Sequence, residues 1–172
     1  PTKLVKNKKI TTEYYNYNDM AKVSSAIIPK MPVTKKAISF FIEKGGVGKT
    51  SNVYNLSMYL GLMGFSVLLI DIDQQCNLSQ QCGYEDDDLL TLEDTIFTAF
   101  MGQSSVAAAT VSVAENVDLI PGDARMSSLL IHLDKLPGGD RVIETQLKKE
   151  KTFDNYDYVI IDNNSSPDKA SD

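Results

Sequence analysis

The sequence predicts an α/β fold in which a parallel β-sheet is covered by helices on both faces. Three short runs, residues 37–42, 66–72 and 157–162, are almost wholly apolar and rich in β-branched or aromatic residues. Such runs are typical of strands that are buried on both sides, and segments with a helical spacing of apolar residues alternate with them. At 172 residues and 42% hydrophobic, the chain is long enough for one such domain.

Charge is distributed unevenly along the chain. Residues 1–36 carry eight lysines against Glu13 and Asp19, whereas the remainder carries nine basic and twenty-one acidic residues. We therefore interpret residues 1–36 as a basic N-terminal arm or linker and residues 37–172 as the folded domain. A lysine-rich arm can contact an anionic partner, although solvated tails have the same composition.

Several classes of protein are disfavoured by what the sequence lacks. It has no run of 18 apolar residues, and its N-terminal segment has no apolar core of the kind found in signal peptides. Cys76 and Cys82 are the only cysteines, and the single histidine, His132, is distant from both. We therefore expect a cytoplasmic protein with no membrane partner, no zinc site and no disulfide framework.

The first predicted strand, residues 37–42, leads into a glycine-rich stretch and then into a helix. From Thr50 to Met63 the apolar residues recur at spacings of three and four, and Gly64 stands where the helix would end. The strand at residues 66–72 follows directly. Because a helix connects these two strands, we expect them to be parallel neighbours joined by a right-handed crossover.

The second half of the chain continues the alternation. It contains a predicted helix at residues 92–101, a small-residue stretch of undefined type at 104–114, a third strand at 116–121, amphipathic helices at 123–133 and 140–149, and the last strand at 157–162. Ligands bind at the carboxyl ends of parallel strands. The glycine-rich stretch and the acidic strand ends Asp71, Asp73 and Asp162 are therefore predicted to form one site.

The stretch from Gly45 to Thr50 has the composition of a phosphate-binding loop. Glycines between a strand and a helix allow backbone N–H groups to point into one concavity at the positive helix terminus. Lys49 would neutralise the β and γ phosphates, and the Thr50 hydroxyl would bind Mg²⁺ with Asp162 as the nearby carboxylate. Asp71 and Asp73 are either associated with the metal or able to orient a water for attack on the γ phosphate.

Lys44 lies just before this loop and needs a separate explanation, because Lys49 already occupies the phosphate position. A lysine at this point could reach outward to a second nucleotide. In a symmetric dimer, each Lys44 would then contact the partner's phosphates, as an arginine finger does.

Three motifs resemble the ParA/MinD family of P-loop ATPases. Residues Lys44 to Thr50 match the deviant Walker A pattern K-G-G-x-G-K-[ST], residues Asp71 to Asn77 correspond to the second motif D-x-D-P-Q-x-N, and residues Asp157 to Asp162 correspond to the Walker B strand. The stretch IPGDARMSSL, which begins at Ile120, resembles the branch that partitions chromosomes and plasmids.

The resemblance implies a role for each matching residue. Catalytic roles fall to Lys44, Lys49 and Asp73, and metal binding falls to Thr50, Asp71 and Asp162. The implied nucleotide-binding residues are Lys44, Gly45, Gly46, Val47, Gly48, Lys49, Thr50 and Ser51.

The implied function is that of a Mg²⁺-dependent ATPase that binds ATP or ADP and drives the partition of plasmid or chromosomal DNA. It would form an ATP-sandwich homodimer, bind DNA without sequence preference, and be stimulated by a ParB-like centromere-binding protein. Such a protein is expected to be cytoplasmic and associated with the nucleoid.

The sequence also departs from the family pattern. Gln74 replaces the usual proline, Cys76 replaces the usual glycine, and Asn163 and Asn164 follow the Walker B strand. The C-terminal part of the family's domain is expected to be missing. Two other functions remain open: a MinD-like ATPase that positions the division site, and a nucleotide-switched DNA-binding regulator with little hydrolysis, whose basic arm contacts phosphates.

Overall fold

The computed structural model has the predicted alternation of strands and helices. It describes residues 3–7, 10–14, 16–29, 34, 36–40, 48–84, 95–125, 128, 131, 133 and 141–163. In chain order its elements are β1 (Lys3–Asn7), β2 (Ile10–Tyr14), α1 (Tyr17–Ile27), β3 (Lys36–Phe40), α2 (Lys49–Leu62), β4 (Val67–Asp71), α3 (Asn77–Gln81), α4 (Ile96–Phe100), β5 (Val111–Ala114), β6 (Val117–Ile120), α5 (Val142–Lys149), α6 (Thr152–Asn155) and β7 (Tyr158–Asp162).

Five strands form the main sheet in the order β3-β7-β4-β6-β5. The first four run parallel, and β5 pairs antiparallel with β6 across a short turn. The predicted α/β fold is therefore confirmed. The expectation that β3 and β4 are neighbours is wrong, because β7 lies between them. The crossover through α2 skips one position in the sheet, and β7, the last strand of the described residues, fills it.

Apolar side chains pack on both faces of the central strand β4, which is wholly buried. Leu68 and Ile70 contribute to a cluster with α4 and α5, whereas Leu69 contributes to a second cluster that includes Val53 of α2. The alternation follows from the period of two in a strand. Each fully buried Leu or Ile contributes about 1.5–3 kcal/mol relative to an exposed one, so the sheet is stabilised from both sides.

Strand β3 is less buried than its sequence predicts. Ala37 and Ser39 are exposed, and Ile38 is only half-buried. The reason is topological: β3 pairs with β7 on one side and forms the edge of the described sheet on the other. Residues 41 and 42 of the predicted strand lie outside the described residues.

The predicted N-terminal arm contains three elements of its own. β1 and β2 form an antiparallel hairpin, and α1 packs against α2. The Tyr17 hydroxyl donates to the carbonyl of Met58 at 2.8 Å, and Ala21 is fully buried. A Cβ added to Gly61 would lie 2.4 Å from the Tyr17 hydroxyl oxygen, so the absence of a side chain on α2 permits this close contact. Part of the predicted arm is therefore attached to the domain.

The spacing of apolar residues did not predict some of the remaining elements and gave others different bounds. The undefined stretch supplies β5, and the short helices α3 and α6 were not predicted. The predicted helix at 92–101 begins at Ile96 after a Thr95 cap, and residues 92–94 lie outside the described residues. Residues 123–125 are not helical, because the Asp123 carboxylate accepts from the backbone and side chain of Arg125. His132 lies outside the described residues. No helix in the described part of the chain is long and apolar enough to cross a bilayer.

Candidate nucleotide-binding site

The predicted site lies at the carboxyl ends of β7 and β4, where helix α2 begins. Gly48 precedes α2 with φ 79° and ψ 22°, a left-handed conformation that glycine adopts without steric cost. Lys49 and Thr50 occupy the first turn of this helix, and Ser51 follows them on its exposed side. The unpaired N–H groups and the dipole of the helix favour an anion at this terminus.

The Lys49 side chain is only 8% exposed and is surrounded by oxygen atoms. Its Nζ atom donates to Asp162 Oδ1 at 2.5 Å and to the carbonyl of Asn163, and it lies 3.9 Å from Asp73 Oδ2. A buried ammonium group requires such partners because desolvation of an isolated charge is costly. The structure thus brings Lys49 together with two of the predicted acidic residues.

Asp162 connects the first turn of α2 to the end of β7. Its carboxylate is fully buried, and Oδ2 accepts from the Thr50 hydroxyl at 2.8 Å while Oδ1 accepts from Lys49. Both Thr50 and Asp162 are predicted metal-binding residues, and their oxygen atoms lie side by side. A hydroxyl and a carboxylate are the hard oxygen donors that Mg²⁺ prefers.

Asp71 is also fully buried, but different groups surround it. Its Oδ2 accepts from the backbone N–H and the hydroxyl of Ser79, at 2.9 and 2.7 Å, and its Oδ1 accepts from the backbone N–H of Asp73 at 3.1 Å. Burial raises the pKa of Asp71 to about 6, the nearby Asp162 adds to the shift, and the Ser79 hydrogen bonds oppose it. Both carboxylate oxygens of Asp71 therefore accept hydrogen bonds from the polypeptide, and neither faces an open position for a metal ion.

Asp73 follows β4 and turns toward the lysine. It is 4% exposed, and its Oδ1 accepts from the backbone N–H of Gln75 at 3.0 Å while Oδ2 points to the Lys49 ammonium. If β4 continued through Asp73, the period of two in a strand would place Asp71 and Asp73 on the same side. That argument does not extend to Asp73, because β4 ends at Asp71.

The other predicted site residues, Lys44, Gly45, Gly46 and Val47, lie outside the described residues. Conversely, Ser79, Gly122 and the carbonyl of Asn163 are not among the residues that the sequence predicts for the site. Gly122 donates its N–H to the Ser79 hydroxyl at 2.8 Å, and a Cβ at this position would lie 3.0 Å from the Asp71 carboxyl group. Only the tertiary structure brings these groups together, so the periodicity and motif spacing gave no signal for them.

The exposed guanidinium of Arg125 lies on the loop that follows β6. It forms an ion pair with Asp123 at 2.5 Å and stacks over the ring of Phe97 at 4.7 Å. Although burial opposes the effect, hydrogen bonds from Arg125 and Thr95 hold the pKa of Asp123 below its usual value. These contacts fix the loop beside Gly122.

A polar cavity of about 500 Å³ lies elsewhere, at the amino ends of the strands. Its lining includes Asn18, Ser66, Asn116, Asp118 and Tyr156. Since Lys49, Asp73 and Asp162 lie at the opposite ends of the strands, this cavity is separate from the predicted phosphate site. The chemistry of the side chains, rather than the size of the opening, identifies the candidate site.

Comparisons with known proteins identify the family of this chain. The family model AAA_31, described as an AAA domain, matches residues 35–169. The chain is 34% identical over 128 residues to the sporulation initiation inhibitor protein Soj of Bacillus subtilis, an alignment that covers 74% of this chain and 49% of Soj. The chain thus spans about half the length of this relative.

Two solved structures have similar folds. A plasmid partition protein from Borrelia burgdorferi is 29% identical with a TM-score of 0.66, covering 77% of this chain and 57% of that one. Cobyrinic acid a,c-diamide synthase from Mycobacterium smegmatis, with bound ADP and magnesium, is 27% identical with a TM-score of 0.70, covering 77% of this chain and 52% of that one. The same fold therefore serves different reactions in different proteins.

Proposed function

Because the chain belongs to the AAA_31 family and, within P-loop proteins, to the ParA/MinD group of ATPases, we propose that it is a Mg²⁺-dependent ATPase. Its reaction is the hydrolysis of ATP to ADP and phosphate, slow alone and faster with a partner. One observation carries the proposal: Lys49 lies at the start of α2 between the carboxylates of Asp162 and Asp73. A cation, a helix terminus and two carboxylates at one sheet edge are the parts that phosphoryl transfer requires.

The residues at the start of α2 fit a nucleotide and its metal ion. Lys49 and the N–H groups of the helix terminus would hold the phosphates, and Thr50 and Asp162 would hold Mg²⁺. The metal ion, when bound, neutralises charge that develops on the phosphate oxygens. The described residues contain no group of three or more His, Cys, Asp or Glu side chains that could hold a metal, so the phosphates would supply further oxygen ligands.

Asp73 is the candidate for orienting the attacking water. Its Oδ1 is held by the backbone N–H of Gln75, whereas Oδ2 faces the Lys49 ammonium at 3.9 Å. When Lys49 contacts phosphate instead, Oδ2 becomes available to accept a hydrogen bond from water. A carboxylate in this role acts through position and hydrogen bonding.

Dimerisation and DNA partition form the finer part of the proposal. The family signature at Lys44 supports a homodimer in which each Lys44 contacts the partner's nucleotide. The likeness to a plasmid partition protein supports DNA segregation, in which the ATP-bound dimer binds DNA without sequence preference. A ParB-like centromere-binding protein would then stimulate hydrolysis and release.

Turnover and dimerisation of matched lysine variants test this function. We expect Lys44→Ala to retain ATP binding but to lose ATP-dependent dimerisation and at least about 10³-fold of stimulated turnover, the range attributed to a supplied cation. Lys36→Ala, which removes an exposed lysine at the start of β3, is the matched control. Light scattering reports the dimer, and phosphate release reports turnover.

Different outcomes separate the alternatives. Equal dimerisation and turnover for Lys44→Ala and Lys36→Ala would remove the cross-dimer role. ATP binding with no measurable hydrolysis under any condition, together with ATP-dependent DNA binding, would instead indicate the nucleotide-switched regulator.

A further inference from the structure

The loop that carries Asp73 is fixed at both ends by buried hydrogen bonds. At one end, Asp71 Oδ1 accepts from the backbone N–H of Asp73, and Ile72 donates its N–H to the carbonyl of Asp162 at 3.0 Å. At the other end, Ser79 in α3 donates both its backbone N–H and its hydroxyl to Asp71 Oδ2. The carboxyl group of Asp71 therefore joins the two ends of the loop.

A third element extends this connection. The hydroxyl oxygen of Ser79 accepts from the backbone N–H of Gly122, which follows β6. Ser79 and Asp71 are both fully buried, so water cannot replace a lost hydrogen bond without entering the core. The side-chain oxygens of Asp71 and Ser79 all have protein partners, a condition under which buried networks hold one conformation.

The loop needs such support because its backbone is strained. Cys76 has φ 52°, in the left-handed region that disfavours any residue with a Cβ. For a residue with a Cβ, the cost of this conformation is of order 1–2 kcal/mol. Strained conformations persist where surrounding contacts over-determine them, and the bonds of Ser79 and Asp71 provide those contacts.

We propose that Ser79 is a positioning residue that, through Asp71, holds the loop carrying Asp73 against the Lys49 ammonium. Asp71 is then an anchor for this loop instead of a ligand for the metal ion. The part of the inference that concerns turnover rests on the proposed ATPase function. The part that concerns loop position rests only on the hydrogen bonds described above.

Removal of the Ser79 hydroxyl tests the turnover part. We expect Ser79→Ala to lower kcat for ATP hydrolysis about tenfold and to leave KM for ATP within about twofold, since Lys49 and Thr50 keep their places. Ser79→Thr, which retains the hydroxyl, should recover most of kcat. Ser57→Ala is the matched control, because Ser57 is equally buried but donates only to the carbonyl of Val53 within α2.

The reactivity of Cys76 tests the loop position without nucleotide. Cys76 as a residue is 6% exposed and its thiol lies beside Gly122, whereas burial raises the pKa of the half-buried Cys82 to about 12 and makes that thiol a slow internal reference. We expect a maleimide reagent to label Cys76 about tenfold faster in Ser79→Ala than in the wild type or Ser57→Ala. Asp71→Asn, whose single amide oxygen cannot accept from both Ser79 and the backbone N–H of Asp73, should raise the labelling rate in the same direction.

The two readouts make different failures distinguishable. If the wild type hydrolyses no ATP, the proposed function fails. The labelling rates of Cys76 then still test whether Ser79 and Asp71 hold the loop in place. If Ser79→Ala and Asp71→Asn both label at the wild-type rate, the inference is overturned. If Ser79→Ala does not fold, Asp71→Asn alone decides the test. A wild-type rate of Cys76 labelling in Asp71→Asn overturns the inference, and a faster rate supports it. A wild-type kcat for a folded Ser79→Ala protein would also overturn it.

Discussion

Two aspartates, Asp71 and Asp162, end neighbouring parallel strands and differ in what they bind. They are paired in register and both fully buried, and each follows an almost wholly apolar run. Asp162 contacts the Lys49 ammonium and the Thr50 hydroxyl, groups that can exchange a carboxylate for a phosphate or metal. Asp71 contacts the hydroxyl and backbone N–H of Ser79 and the backbone N–H of Asp73, groups that belong to the segment after its own strand.

The difference follows from the segment after each strand. After β4, a turn leads into α3, and Ser79 in that helix donates hydrogen bonds to Asp71 at the end of the strand. Behind β7, the chain continues past Asn163, whose carbonyl accepts from Lys49. The same pattern, an apolar strand that ends in aspartate, thus produces a structural anchor in one case and a candidate functional carboxylate in the other.

The largest expected effect comes from removing the cation beside Asp162. Lys49→Met should lower the free energy of unfolding by about 3–5 kcal/mol, because it leaves a buried carboxylate without its partner. The double variant Lys49→Met/Asp162→Asn should recover most of this loss. Urea denaturation in the absence of nucleotide measures both.

An exposed ion pair provides the control for that prediction. Lys148 pairs with Glu144 on the surface of α5, and Lys148→Met should leave the free energy of unfolding nearly unchanged because water screens such pairs. Equal losses in the free energy of unfolding for Lys49→Met and Lys148→Met would show that the buried ion pair stabilises the fold no more than the exposed one. The functional comparison of the two aspartates would then lose its basis.

The sequence predicted the elements that place Asp162 but not those that anchor Asp71. Strands β4, β6 and β7 and the helices α2 and α5 follow from apolar periodicity, and Lys49 and Thr50 follow from a motif with local spacing. Ser79 and Gly122 come from distant elements, and their contact with Asp71 depends on the order of strands in the sheet. That order was itself wrong in one place, because the position of β7 between β3 and β4 is set by tertiary packing rather than by local pattern.

A second prediction concerns pH and separates Asp71 from other carboxylates. Its pKa is about 6 in the folded protein and about 3.9 when unfolded. Between these values the folded state binds more protons, so Asp71 makes the free energy of unfolding fall as pH rises, by at most about 1.4 kcal/mol per pH unit. The free energy of unfolding of the wild type minus that of Asp71→Asn should therefore decline from pH 4 to pH 6 and level off above pH 6.

Asp123 offers the opposite sign as a control. Its pKa is lowered in the folded protein, so its stabilising contribution is present above its unfolded pKa and is lost as pH falls below that value. The wild-type minus Asp123→Asn difference should accordingly rise with pH near and below pH 4. Parallel curves for wild type and Asp71→Asn between pH 4 and pH 6 would contradict the raised pKa of Asp71.

The smallest expected effect comes from removing the Thr50 hydroxyl, which donates a hydrogen bond to Asp162. Thr50→Val removes one hydrogen bond to Asp162 Oδ2 and should cost about 1 kcal/mol in the nucleotide-free protein. The cost should be smaller than that of Ser79→Ala, because the Thr50 hydroxyl makes one hydrogen bond here whereas the Ser79 hydroxyl makes two. Thr110→Val is the matched control, because the Thr110 hydroxyl donates to the carbonyl of Val106 in a similar half-buried setting.

Nucleotide distinguishes Thr50 from that control. Added MgATP should raise the melting temperature of Thr110→Val as it does for the wild type, because a ligand that binds only the folded state stabilises it. Thr50→Val should show a much smaller shift with MgATP and the same shift as the wild type with ATP in EDTA. A full MgATP shift for Thr50→Val would mean that the hydroxyl beside Asp162 serves only the fold, and Asp162 would then resemble Asp71 as an anchor.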